Sequence, residues 1–348
     1  MLDKKPTLSS FAENSVHEIN ELLPFVASFS IFIKTGLFQR QYKMYNAKQQ
    51  CIRVNIFTDE APYIINLSVG SHLMRPQNKS AMKFLFILFI TLVSAATGFS
   101  QSPKKAEVVS LNGTNIYYEV YGKGEPLILL HGYTLSTKEW LPYISDYIND
   151  FEIYLIDLKG HGKSSSSKEK LSVASAADDV DALMKHLKLK NINAIGFSYG
   201  GLVLFQLALL DSGLIKSMIS IGACGNWNAK EHRDFLEYLS YKNIDNLRWI
   251  REHQSSEAQI KALLDQLPDR TAASISDKEF KRIQAKTLIV LGDQDNLNPI
   301  ESVAFARKYL SHSYLWILPN TGHGAHEGKN KIDFVRVSKE FFSQSWPK

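Results

Sequence analysis

This chain of 348 residues has few cysteines and only a small excess of positive over negative charge. The only cysteines are Cys51 and Cys224, which excludes a disulfide-stapled scaffold and a cysteine-based metal centre. The net charge is +5, and residues 101–348 are almost neutral, with 30 Lys/Arg against 29 Asp/Glu. Nucleic-acid-binding domains present a basic surface, so we expect no nucleic-acid partner.

Signals for cofactors are also missing. No group of His, Asp or Glu residues has the spacing of metal ligands, so no metal is expected. No dinucleotide fingerprint is present, and Gly160 and Gly162 lack the spacing of a phosphate-binding loop. We therefore expect a protein that works without a cofactor.

One apolar run does stand out, beginning at Met82 with the sequence MKFLFILFITLVSAATGFSQ. A lysine is followed by an uncharged stretch from Phe84 to Val93 and then by small residues. This order is typical of a secretory signal peptide, and the stretch is too short to span a bilayer comfortably. Residues 82–100 are therefore predicted to be a signal peptide, cleaved near Gln101 or after Ala96.

A signal peptide belongs at the N-terminus, yet 81 residues precede this one. We expect translation to begin at Met82 and residues 1–81 to be an over-extended N-terminus with no domain of its own. The alternative is an internal signal-anchor, with residues 1–81 on the cytoplasmic side. The prediction is an exported protein, periplasmic or extracellular if the source is bacterial, that meets the membrane only through this segment.

Strand and helix patterns alternate along residues 101–348. Most of the predicted strands are continuous apolar runs, which suit a mostly parallel sheet buried on both faces. Asn112-Gly113 predicts an antiparallel hairpin at the N-terminal edge. The fold class is therefore α/β, with a doubly wound sheet of about eight strands. The predicted strands are Glu107–Ser110, Ile116–Tyr121, Pro126–Leu130, Phe151–Leu158, Ile192–Phe197, Ile215–Ile221, Thr287–Leu291 and Tyr314–Leu318.

Residues 225–281, after the sixth strand, interrupt this alternation with two or three amphipathic helical patterns. An insertion there would cover the carboxyl ends of the strands, where open α/β sheets bind ligands, so we interpret it as a small helical cap. Four aromatic residues of this stretch either line a pocket or form the core of the cap, and we favour the core for most of them. They are Trp227, Tyr238, Tyr241 and Trp249.

The sequence from Gly196 to Gly200 fits the pattern G-x-S-x-G, with Ser198 at its centre. It follows a predicted strand and opens an apolar helix, the setting in which such a serine is exposed on a sharp turn. A serine hydroxyl needs a base, and His323 lies in a loop after the last strand. Asp295, after the seventh strand, can orient that base. Asp293 is a rival of Asp295, and His326, His131 and His161 are rivals of His323.

The chain resembles the α/β-hydrolase fold serine hydrolases over residues 106–346, and within them the branch of small esterases and cofactor-free haloperoxidases. In the motif from Asp157 to Ser164, Lys159 stands where the family usually has an arginine. The motifs are His131-Gly132-Tyr133, Asp157-Leu158-Lys159-Gly160-His161-Gly162-Lys163-Ser164, Gly196-Phe197-Ser198-Tyr199-Gly200, Gly292-Asp293-Gln294-Asp295 and Gly322-His323.

The resemblance implies a role for each of these residues. Ser198 is the nucleophile, His323 the general base and Asp295 the acid that orients the histidine. The backbone N–H groups of Tyr133 and Tyr199 form the oxyanion hole. Supporting positions in the turns are His131, Gly132, Gly196 and Gly200.

The leading functional hypothesis is an exported hydrolase that cleaves a carboxylic ester of small or medium size through an acyl-enzyme. A carbon–carbon bond hydrolase with the same triad is one alternative. A ligand-binding receptor that keeps the fold without turnover is another. Fold alone does not identify the substrate, and the oligomeric state is not predicted.

Overall fold

The structure is a computed structural model that describes residues 51–57, 62–68, 102–165, 172–227, 233–270, 273–343 and 346. The chain divides into two compact units, Met1–Ser100 and Gln101–Lys348. The predicted signal peptide at residues 82–100 lies outside the described residues.

The first unit contains an antiparallel pair of strands, β1 (Cys51–Phe57) and β2 (Pro62–Ser68). Residues 1–81 were expected to have no domain of their own, and this pair of strands was not predicted. Ile52, Val54 and Ile56 alternate with other residues at the two-residue period of a strand.

Eight described strands of the second unit form one sheet, in the order β10-β9-β8-β7-β5-β6-β4-β3. The strands β3 and β4 form an antiparallel hairpin, β4 pairs antiparallel with β6, and the remaining pairs are parallel. The predicted α/β sheet with an antiparallel N-terminal edge is thereby confirmed. The strands are β3 (Lys105–Leu111), β4 (Thr114–Gly122), β5 (Glu125–Leu130), β6 (Phe151–Ile156), β7 (Ile192–Phe197), β8 (Ile215–Ile221), β9 (Lys286–Gly292) and β10 (Ser313–Leu318).

The central strands are apolar throughout because both faces of the sheet are covered. In β5, Ile128 and Leu130 belong to the core on one face, and Leu127 and Leu129 to the core on the other. All four side chains are fully buried. Continuous apolar sequence therefore predicts these strands where alternation would not.

Helices flank the sheet and form the cap. The α-helices are α1 (Ile144–Tyr147), α2 (Val173–Leu187), α3 (Tyr199–Leu210), α4 (Arg233–Tyr238), α5 (Arg248–His253), α6 (Glu257–Arg270), α7 (Asp277–Phe280), α8 (Ile300–Tyr309) and α9 (Lys331–Phe342). Short 3₁₀ helices cover Thr137–Tyr143, Tyr241–Asn246 and Gly328–Asn330. Among the described residues, no helix is both long enough and apolar enough to cross a bilayer.

The cap follows β8, the sixth strand of the sheet, as the sequence predicts. It consists of α4 to α7 and the 3₁₀ helix Tyr241–Asn246. Its helices are too short to be stable alone, so they depend on packing against one another. An aliphatic core provides that packing, formed by Leu239, Ile244, Leu247, Ile250, Ile260 and Leu264.

Candidate active site

Ser198 lies on the sharp turn between β7 and α3, in a strained backbone conformation with φ 49° and ψ −110°. The turn fits only because glycines flank it. A Cβ at Gly196 would lie 2.5 Å from the carbonyl oxygen of Gly200, and one at Gly200 would lie 2.4 Å from that of Leu130. These contacts are with backbone, which cannot easily move away. The glycines therefore present the serine at the carboxyl end of the sheet.

Ser198, His323 and Asp295 form one chain of hydrogen bonds. The distance from His323 Nδ1 to Asp295 Oδ2 is 2.9 Å, and that from His323 Nε2 to Ser198 Oγ is also 2.9 Å. Since a carboxylate can only accept, Nδ1 carries the proton and Nε2 accepts from the serine hydroxyl. This is the geometry in which a histidine can take the proton of a serine nucleophile.

The aspartate that contacts His323 is Asp295, and its rival Asp293 is engaged elsewhere. The Asp295 side chain is fully buried, and its Oδ1 accepts from the backbone N–H groups of Leu297 and Asn298 at 2.8 and 3.1 Å. Asp293 instead accepts from the N–H of Thr321 at 3.1 Å. That backbone hydrogen bond lowers the pKa of Asp293 and fixes the loop that carries His323.

Two residues that were not predicted from the sequence support the loops around His323 and Asp295. Gly222 has φ +57°, and a Cβ there would lie 2.9 Å from His323 Cε1. Asn298 donates through Nδ2 to the carbonyl oxygen of Gly222 at 2.7 Å. The sequence signal for Gly222 is a glycine directly after an apolar strand, whereas no sequence pattern points to Asn298.

The predicted oxyanion-hole residues lie beside the serine. Tyr133 and Tyr199 border the same cavity as Ser198 and His323, and the centroids of the two tyrosine rings are 5.2 Å apart. Tyr199 is the first residue of α3, whose N-terminus favours developing negative charge.

His131 holds the loop that carries Tyr133. Its Nε2 accepts from the N–H of Leu158 at 3.0 Å, so Nδ1 carries the proton and donates to the carbonyl oxygen of Gly132 at 2.8 Å. Complete burial lowers its pKa to about 3, which keeps the ring neutral. His131 is thus a structural residue of this loop.

Behind His323 lies a second titratable group that sequence reasoning missed. Glu139 is buried, and its Oε2 accepts from the N–H of Gly132 at 2.9 Å. Burial raises the pKa of Glu139 to about 8. His326 is also fully buried, which lowers its pKa to about 4, and its Nε2 faces Glu139 Oε1 at 3.5 Å. His326 therefore lies beside the triad and contacts neither Ser198 nor Asp295 in a hydrogen bond.

A cavity of about 320 Å³ opens over Ser198, with the cap as its outer wall. Trp227, Tyr238 and Trp249 border it, so the preference for a cap-core role was wrong for these three aromatics. Of the four aromatics named above, only Tyr241 packs against the aliphatic core of the cap. Helical periodicity shows that one helix face is apolar, but it does not show whether that face meets a core or a cavity.

The sequence comparisons agree with this fold. A family model described as alpha/beta hydrolase fold matches residues 125–248, which include β5, β6, β7 and β8 with the serine turn. The chain is an α/β-hydrolase-fold protein. The chain is 29% identical over 256 residues to a non-heme haloperoxidase of Rhodococcus erythropolis, covering 62% of the chain and 92% of the relative.

Solved structures show the same fold. One is a meta-cleavage product hydrolase of Pseudomonas fluorescens, with a TM-score of 0.60, 22% identity, and coverage of 69% of this chain and 98% of that one. Another is a thermophilic esterase of Thermogutta terrifontis, with a TM-score of 0.59, 19% identity, and coverage of 69% and 98%. The relatives together indicate hydrolase activity.

Polar side chains attach the cap of the hydrolase to two loops at the end of the sheet. Gln254 donates through Nε2 to the carbonyl oxygen of Thr134 at 2.7 Å and accepts from the N–H of Gly162 at 2.9 Å. Gln259 donates to the carbonyl oxygen of Gly160 at 3.0 Å. The phenol of Tyr133 donates to the carbonyl oxygen of Leu263 at 2.8 Å. The loop that carries Tyr133 and Thr134 is thus held from its outer side by the cap.

Proposed function

We propose that this α/β-hydrolase is a serine hydrolase that cleaves an uncharged carboxylic ester of small or medium size. The observation that carries the proposal is the pair of 2.9 Å contacts joining Asp295, His323 and Ser198. Ser198, at one end of this row of hydrogen bonds, borders an apolar cavity, whereas Asp295, at the other end, is buried.

The reaction follows from these positions. Ser198 Oγ attacks the ester carbonyl carbon while His323 Nε2 takes its proton, and Asp295 stabilises the charged imidazole. The N–H groups of Tyr133 and Tyr199 hold the oxyanion, each worth about 10²–10³ in rate. The C–O bond breaks, His323 gives its proton to the leaving alcohol, and an acyl-enzyme remains. Water then attacks the acyl group, gives a proton to His323 and releases the acid, after which the proton returns to Ser198.

The walls of the cavity support an uncharged substrate. Among the described lining residues there is no Lys, Arg, Asp or Glu, and most side chains are aliphatic or aromatic. A carboxylate or ammonium group would be desolvated there without a partner, which is costly. The volume is at the lower end of ligand cavities, which favours compact acyl and alcohol groups.

A labelling experiment with a fluorophosphonate tests the nucleophile. We expect peptide mass spectrometry of the labelled chain to place the adduct on Ser198. The variant Ser198→Ala should lose the adduct and about 10⁶ in kcat, whereas Ser311→Ala, at an exposed serine, should label normally. A folded protein that takes no label would instead favour a ligand-binding receptor.

A substrate screen tests the reaction. We expect p-nitrophenyl acetate and butyrate to be cleaved with higher kcat/KM than long-chain or carboxylate-bearing esters. A vinylogous diketone belongs in the same screen, since carbon–carbon bond hydrolases use the same triad. Cleavage of the diketone without cleavage of esters would replace the ester proposal.

We further propose that the enzyme is exported through residues 82–100. The support is the basic start, apolar centre and small-residue end of that segment. Expression with a C-terminal tag, followed by N-terminal sequencing of the secreted product, should give a start near Gln101 or Thr97. Retention of the whole chain in the cell would contradict export.

A further inference from the structure

Three titratable side chains meet behind the loop of His323. Glu139 belongs to the 3₁₀ helix Thr137–Tyr143, and His326 and Glu327 follow His323 in the chain. His326 Nε2 lies 3.5 Å from Glu139 Oε1 and 3.8 Å from Glu327 Oε1. One ligand atom from each of the three lies within 4.8 Å of the others.

The imidazole of His326 lacks the partners that a buried polar ring needs. Its exposed fraction is 0%, and neither ring nitrogen has a hydrogen-bond partner. The two carboxylate contacts are longer than hydrogen bonds. Trp140 and Phe197 pack against the ring at centroid distances of 5.2 and 4.8 Å, so it has no room to turn away. Buried polar atoms without partners are rare in native proteins and call for an explanation.

Glu139 has the same deficit and is aimed at the same point. Its Oε2 is fixed by the N–H of Gly132, which leaves Oε1 facing His326 without a hydrogen-bond partner. Among the described residues, no lysine or arginine lies within ion-pair distance of this carboxylate, although its side chain is only 5% exposed. A buried carboxyl group of this kind is neutralised either by a proton or by a bound cation.

We propose that Glu139, His326 and Glu327 bind one divalent transition-metal ion, with Zn²⁺ the first candidate. One imidazole and two carboxylates suit Zn²⁺ better than Ca²⁺ or Mg²⁺, which prefer oxygen ligands alone. Bonds of about 2.0–2.2 Å from a central Zn²⁺ can bridge ligand atoms 3.5 and 3.8 Å apart. Glu327, with a side chain 56% exposed, can close onto the ion and leaves a solvent side where water completes the coordination.

Such an ion joins two loops of the active site. His326 and Glu327 belong to the loop of the base, and Glu139 holds Gly132 at the start of the oxyanion loop. The ion would therefore stabilise the folded state by binding it and not the unfolded chain. The proposed metal site is independent of the reaction proposed above, because it is tested by metal binding and not by turnover.

Isothermal titration calorimetry of the full chain, stripped with EDTA and dialysed, tests the proposal with ZnCl₂. We expect one Zn²⁺ per chain and a higher unfolding temperature with Zn²⁺ than with EDTA. Glu327→Gln should weaken binding at least about tenfold, since it removes a charged ligand from a half-exposed position. Glu301→Gln, at an exposed glutamate of α8, is the matched control and should bind normally.

Anomalous diffraction at the zinc edge gives an independent readout, with a peak expected between His326 Nε2 and the two carboxylates. The proposal is overturned if Zn²⁺ releases no heat, if Glu327→Gln binds as tightly as the parent, or if the peak lies elsewhere. His326→Gln is a second variant, and Glu327→Gln keeps the test decisive if that buried substitution does not fold.

Discussion

The end of the sheet and the cap contribute to one cavity but are built in different ways. At the sheet end, backbone geometry fixes the chemistry: the serine, the aspartate and the histidine follow β7, β9 and β10, parallel strands of one sheet. In the cap, short helices pack on an aliphatic core and present aromatic side chains to the cavity. The difference teaches that the candidate catalytic groups depend on backbone positions, whereas the wall of the cavity depends on side chains that can be exchanged.

The largest expected effect is at the sheet end. Asp295→Asn should lower kcat about 10⁴-fold, because an amide no longer fixes the imidazole tautomer that accepts the serine proton. Asp293→Asn is the matched control and should retain most of the activity, since Asp293 contacts Thr321 instead. Steady-state kinetics with p-nitrophenyl butyrate measures both. Equal losses in the two variants would contradict the assignment of the acid.

A single methyl group added at the serine turn should have the next largest effect. In Gly200→Ala the Cβ would lie 2.4 Å from the carbonyl oxygen of Leu130, so the turn must shift and move Ser198. A displacement of about 1 Å can cost about 10² in rate, and we expect a fall in kcat of that size. Gly213→Ala, where the nearest atom is 3.7 Å away, should leave kcat unchanged.

Acid should lower the stability of the folded protein through His131, which lies at the sheet end. Its pKa is about 3 in the folded protein against an ordinary 6.5, so below pH 6.5 the unfolded chain binds the extra proton. The free energy of unfolding therefore falls as the pH falls from 6.5 towards 3. At pH 5, the protonation of His131 in the unfolded chain lowers it by about 2 kcal/mol. Urea unfolding at pH 7 and pH 5 measures this difference.

His131→Gln should show a smaller loss of stability between pH 7 and pH 5 than the parent protein. His312→Gln, at an exposed histidine, should show the same loss as the parent. A pH response unchanged in His131→Gln would assign the acid sensitivity to other groups, of which half-buried His253 and fully buried His326 also have lowered pKa values.

The smallest effect should come from the cap. Trp249→Ala removes part of the cavity wall, so KM should rise about tenfold with kcat nearly unchanged, the pattern of lost uniform binding. Tyr241→Ala is the control, since Tyr241 packs on the cap core and does not border the cavity. A large fall in kcat for Trp249→Ala would mean that the cap also positions the reacting groups, and the contrast between the two regions would not hold.

The strands and the serine turn at the sheet end could be predicted because their sequence signals lie within short stretches of the chain. Leu127–Leu130 and similar runs are apolar on both faces, and the strained turn at Ser198 needs flanking glycines that the sequence displays. Helix α8 was not predicted, in part because Ile300 and Phe305 are about 40% exposed and blur its apolar face. The support of His323 by Gly222 and Asn298 was also missed, since it depends on a contact between distant segments.

The sequence by itself determined the order of the strands along the chain, the position of the cap after the sixth strand, and the three residues expected to form the triad. The strands and the cap follow from apolar periodicity and turn chemistry, which act between neighbours in the chain. The roles of the three residues, and the choice of Asp295 over Asp293, are what the resemblance to the α/β-hydrolases implies. Only the tertiary structure decided that the cap aromatics face a cavity and that Glu139 meets His326. Both outcomes depend on which distant segments the fold brings together, and residue spacing along the chain does not predict such contacts.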